Sequence, residues 1–138
     1  MNSVKETMKK VVTNYQDING LMNAQFELAQ IGYTMAEEYA YKRKKSKLLT
    51  KKIADEENNL FLSYNMQSGI NTTTARAMAK NEASTKNAKE EKEVIELEAD
   101  YKGNDVKIRQ INKFLSAINQ QVACLRQEKQ QTNYHQNG

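Results

Sequence analysis

Val94, Leu97, Tyr101, Asn104, Ile108, Ile111, Leu115, Ile118, Val122 and Leu125 follow one another in alternating steps of three and four. Only Asn104 in that series is neither apolar nor aromatic. A seam with this spacing runs along one side of an α-helix and has to be covered by another helix. At about 1.5 Å per residue it is roughly 45–50 Å long. Nothing else in the 138 residues constrains the fold as much. Asn104 reads as a polar register-setter, and Gly103 beside it as an alternative kink.

The rest of the chain is consistent with long helices. It has no Pro and only five Gly, so it is poor in turns. Its 38% hydrophobic content is thin for a globule with a broad core and suits narrow helical seams. Ser3 and Glu6 form a capping box that opens a first helix over residues 3–19, with Val4, Met8, Val11, Val12, Tyr15 and Ile18 at helical spacing. Gly20 breaks or bends the chain there. A second helix is expected over 21–64, carrying Leu21, Leu28 and Met35 at sevens and then Leu49, Ile53 and Leu60. The segment NMQSGINTTTA, 65–75, is the one clear turn. Gly69 is free to take positive φ there, and Thr72, Thr73 and Thr74 are candidate caps. Helix then resumes from 73 to 130, before a tail, 131–138, expected to be disordered. The fold class is all-α: a single domain over 1–130, an elongated helical hairpin with a long coiled-coil-like C-terminal helix. The seam does not say whether its partner is the same chain: helix 21–64 can fold back across the turn, and the narrow core leaves oligomerisation as the expected supplement, with Val94, Leu97, Tyr101, Ile108, Ile111, Leu115, Ile118, Val122 and Leu125 as the oligomerisation seam.

Few residues offer chemistry. The only His is His135, in the expected tail, so no His cluster exists to hold a metal. Cys124 is the only Cys, which excludes an internal disulfide framework and suits a reducing compartment. The glycines are too scattered for a phosphate loop. The carboxylates of 90–100 read as a solvated or pairing face rather than an acid/base pair. We expect no catalytic residues, no metal, no cofactor and no enzyme activity. No continuous apolar stretch reads as a signal peptide or a membrane span, so the expected location is cytoplasmic, in the host cell if the chain is phage-encoded.

Charge is the informative property. The net charge is +4, but the chain runs basic, acidic, basic. The basic part peaks in YAYKRKKSKLLTKK, residues 39–52, which contains no acid. On a helix Arg43, Lys47 and Lys51 fall in line, Lys44 shares their arc, and Lys42, Lys45 and Lys52 flank an apolar side of Tyr41, Leu48, Leu49 and Ile53. Concentrated like charge opposes folding, and a role in phosphate binding would explain its presence. Tyr33, Tyr39 and Tyr41 are near enough to stack on bases. The plainer readings are a solvated face, or a run that meets an acidic stretch such as 90–100. We place polyanion binding ahead of them, and a membrane surface behind.

A basic helix, the turn LFLSYNMQSG, a charge-rich rise and the closing INKFLSAINQQVACLRQEK together resemble the UvsY-type recombination mediator proteins of tailed phages. The resemblance spans roughly residues 37–128, and the segment before it has no counterpart. It implies that Lys42, Arg43, Lys44, Lys45, Lys47, Lys51 and Lys52 contact single-stranded DNA, or RNA. It also implies that the C-terminal helices assemble a ring, and that the partners are a RecA-like recombinase and a single-strand-binding protein. The expected function is therefore a non-enzymatic recombination or replication accessory. The alternative is a phage virion or protein-interaction component, or an inhibitor, with no nucleic-acid role.

Overall fold

The computed structural model describes residues 4–13 and 16–137, with side chains for 4–11 and 16–132. It is all-α, with α1 (Val4–Thr13), α2 (Ile18–Asn65), α3 (Thr72–Lys86) and α4 (Ala88–Asn137). Ser3 of the capping box, Tyr15 and the side chains of Val12 and His135 lie outside the described residues. Contacts divide the chain into two units, one of Met1–Glu37 with Asn104–Gly138 and one of Glu38–Gly103. In each, a stretch of α2 lies antiparallel to a stretch of α4.

The helix boundaries differ from the sequence expectation in four places. The first break falls at Asp17 rather than Gly20. Asp17 Oδ1 accepts the Asn19 N–H at 3.1 Å and its carbonyl accepts the Leu21 N–H, so Asp17 caps α2 and Gly20 sits in its first turn. The cap of α3 is Asn71, whose Oδ1 accepts the Thr74 N–H at 2.7 Å, rather than one of the three threonines. The expected 73–130 helix is two helices, parted at Asn87. α4 passes through Gly103 without a break and continues to Asn137, into the stretch read as a tail. Gly69 does adopt positive φ, at 86°.

The first unit holds the aliphatic core. Leu21, Leu28, Ile111 and Ile118 are fully buried, and Val11, Ile31, Val122 and Leu125 join them. Each such side chain contributes about 1.5–3 kcal/mol on burial. Gly32 lets α2 approach closely: a Cβ there would stand 3.4 Å from the Ile111 Cγ2. Along α2, Met22 Sδ accepts from Arg126, Gln25 meets Asn119, and Gly32 meets Ile111, which is the descending order of an antiparallel pair. α1 is tied down by Thr7 and Lys10, both bonded to Glu27. The seam read from the sequence therefore faces α2 of the same chain in this unit. Asn104 is half-buried on it, and its Nδ2 has no hydrogen-bond partner among the described residues.

The second unit is built differently. Among the described residues its buried apolar side chains are Ala75, Ala79 and Ala83, one face of α3. Arg76 lies 4.5 Å from the Phe61 ring centroid, and Tyr64 donates to Glu82. That bond favours the protonated phenol and raises the Tyr64 pKa above its ordinary value. Val94, Leu97 and Tyr101 on α4, and Leu49, Ile53 and Leu60 on α2, are only half-buried.

Candidate nucleic-acid interface

The basic run lies wholly within the second unit, on α2. The turn that precedes α3 is distant in sequence, so only helical geometry arranges these side chains. At 100° per residue the seven cations cannot share one face.

Three of them turn toward α4. Lys42 pairs with Asp100 at 3.6 Å, Lys45 with Glu93 at 2.8 Å and Lys52 with Glu90 at 3.9 Å. Partner numbers fall as those on α2 rise, as antiparallel helices require. The hydrogen bond from Lys45 to Glu93, together with their attraction, holds the ammonium pKa above its ordinary 10.5. All three pairs are substantially solvent-exposed, and such pairs add little to stability. Their main effect is to fix where α2 sits along α4 and to neutralise part of the charge of each.

The other four point away from α4. Arg43, Lys44, Lys47 and Lys51 are exposed, and none has an ion-pair partner among the described residues. They line a shallow groove of about 450 Å³ that also includes Tyr39, Ala40 and Leu48. Arg43 lies over the Tyr39 ring at 5.9 Å from its centroid. Tyr39 in turn meets Tyr101 edge-on at 5.6 Å. This ring is therefore committed to holding Arg43 and α4, and is not free to stack on a base.

The sequence spacing puts Tyr41 and Leu48 on the inner apolar side with Leu49 and Ile53. The structure instead exposes both, at 66% for Tyr41 and 59% for Leu48. The reason is angular: the face toward α4 is set by Ser46, Leu49 and Ile53, and Tyr41 and Leu48 fall about a third of a turn from it. Tyr33 is exposed too, but it belongs to the first unit. The site is thus a row of four outward cations with an open aromatic ring at its flank, braced from behind by three ion pairs.

Sequence reasoning missed a second groove of this unit, also about 450 Å³. It runs along α2 and α4 and is lined by Ile53, Ala54, Val94 and Ile95 together with Glu57, Glu91 and Glu98. Its residues look unremarkable singly, and the signal that could have found it is Ile95, an aliphatic residue off the seam. Among the described residues there is no group of three His, Cys, Asp or Glu placed to hold a metal, and no helix long and apolar enough to cross a membrane. Cys124 is exposed. In comparisons with known proteins, the chain matches no family model, no curated protein and no solved structure.

Proposed function

We propose that this chain binds single-stranded nucleic acid through Arg43, Lys44, Lys47 and Lys51, as a non-enzymatic, mediator-type accessory of phage recombination or replication. The observation that supports this reading is the row of four outward cations without ion-pair partners among the described residues. Arg43 to Lys51 spans about 12 Å along the helix. A strand laid along the helix can therefore meet these cations with consecutive phosphates. Binding follows from charge neutralisation and counterion release and is largely blind to base sequence. Tyr41 adds a stacking surface, which only unpaired bases can use. Lys42, Lys45 and Lys52 take the supporting role, holding the stripe in place through α4.

Four phosphate contacts per chain give only moderate affinity, so tight binding requires several copies on one strand. A fluorescently labelled single-stranded oligonucleotide, titrated at low and near-physiological salt, tests the reading by anisotropy. The expected slope of log affinity against log salt is about −3 per bound chain, from four contacts on a single strand. Changing Arg43, Lys47 and Lys51 to Glu together should lower affinity at least about tenfold without loss of helix. Tyr41→Ala should weaken single-strand binding and leave duplex binding unmoved. Absence of binding at low salt would instead favour a structural or protein-interaction component, a reading supported by the exposed Phe26 and Tyr33 on α2 of the first unit.

A further inference from the structure

The two grooves of the second unit carry the same template with opposite charge. On α2, Lys44, Leu48 and Lys51 stand at i, i+4 and i+7. On α4, Glu91, Ile95 and Glu98 stand at i, i+4 and i+7. Both triplets are two turns of helix, about 10.5 Å from first to last, with the aliphatic residue between the charges on one face. Each aliphatic residue is largely open to solvent, Leu48 at 59% and Ile95 at 68%. Glu98 and Glu57 have no ion-pair partner among the described residues, and Glu91 accepts only the Ser84 hydroxyl at 3.0 Å. The carboxylates that do pair across to α2 are Glu90, Glu93 and Asp100, on the neighbouring side of α4.

We propose that the carboxylate-rimmed groove receives the basic stripe of a second copy of this chain, Leu48 seating against Ile95 while Lys44 and Lys51 meet Glu91 and Glu98. A chain cannot make this contact with itself, because on α2 Lys44, Leu48 and Lys51 lie more than a third of a turn from the groove's wall and are rigidly joined to it by one helix. Spacing, sign and the central aliphatic residue all match, and this selects a second copy over a generic basic protein. The contact uses two different patches, so copies can add head to tail, closing into a ring or extending as a filament. It also makes the groove a competitor for the surface assigned above to nucleic acid, although self-association stands whether or not that assignment does.

Sedimentation velocity of the full chain, without nucleic acid, is the test. The unmodified protein should associate at low salt and shift toward monomer at high salt. Lys44→Glu with Lys51→Glu, and separately Glu91→Lys with Glu98→Lys, should each weaken association at least about tenfold. Mixing the two double variants should restore a complex, since the intact stripe of one then meets the intact groove of the other. Ile95→Ser, at a residue too exposed to matter for folding, should weaken association with the helical circular dichroism unchanged. A monomer at low salt and high concentration would overturn the proposal. So would association that neither double variant nor Ile95→Ser alters, as would double variants that fail to complement each other. Nucleic-acid binding is measured separately by anisotropy, so a protein that binds oligonucleotide but stays monomeric sinks this inference and leaves the function standing, and the reverse result does the opposite.

Discussion

Asn87 closes one helix and opens the next. Its backbone N–H returns to the Ala83 carbonyl, its own carbonyl accepts the Glu91 N–H, and its buried side chain donates to Ala83 O at 3.0 Å and Glu56 Oε2 at 2.5 Å. Asn87→Ala should therefore cost on the order of 1–2 kcal/mol in urea denaturation, from the lost side-chain bond to the Ala83 carbonyl and a carboxylate left without its donor. A Glu56→Gln variant keeps an acceptor and should cost less. Such positions are poorly legible in the sequence. Asp17, Asn71 and Asn87 each cap a helix, yet the chain is rich in Asn, and Thr72–Thr74 offer hydroxyls at almost the same place as Asn71. Short polar side chains compete for a cap within one residue of each other, and the winner is set by how the turn packs. The inward or outward sense of each lysine is legible only in part. Helical periodicity yields the stripe of Arg43, Lys44, Lys47 and Lys51, but the pairing of Lys42, Lys45 and Lys52 needs the register of α4.

At the scale of the element, the two long helices follow from the seams, because a 3–4 repeat of Ile, Leu and Val leaves a helix little choice of inward face. The split between α3 and α4 does not, since the Ala-rich run from Thr74 favours helix throughout and carries no Gly or Pro to stop it. Two glycines separate the meanings that residue can have. Gly103 lies inside α4 with nothing within 4 Å of where a methyl group would stand, whereas Gly69 sits at φ 86° with equally open surroundings. Gly103→Ala should stabilise the protein by about 0.5–1 kcal/mol through helix propensity alone. Gly69→Ala should destabilise it by about 1–2 kcal/mol because the turn holds a conformation that L-residues avoid. Thermal melts of the two variants should move in opposite directions, and a fall for Gly103→Ala would show that α4 does not run through that position in solution.

For the whole molecule, the uneven distribution of burial predicts uneven stability. The buried Leu, Ile and Val side chains belong to the first unit, while the second relies on alanines, half-buried seam residues and exposed ion pairs. Native-state amide exchange should find the slowest amides around Leu28 and Ile111–Ile118 and faster, salt-sensitive exchange over 42–60 and 90–101. Equal protection in both units would mean that contacts of another kind hold the second. This division is not visible in composition, because the seam spacing is the same on both sides of Asn104 and only the depth of burial changes. The three braced lysines have a further consequence. By drawing charge from one side of α2 into pairs and leaving the opposite side bare, they turn a unit with nearly balanced cations and anions into an electric dipole. A dipole is turned by the field of an approaching polyanion before contact, so under the proposed nucleic-acid reading the pairs would also set how often an encounter is productive.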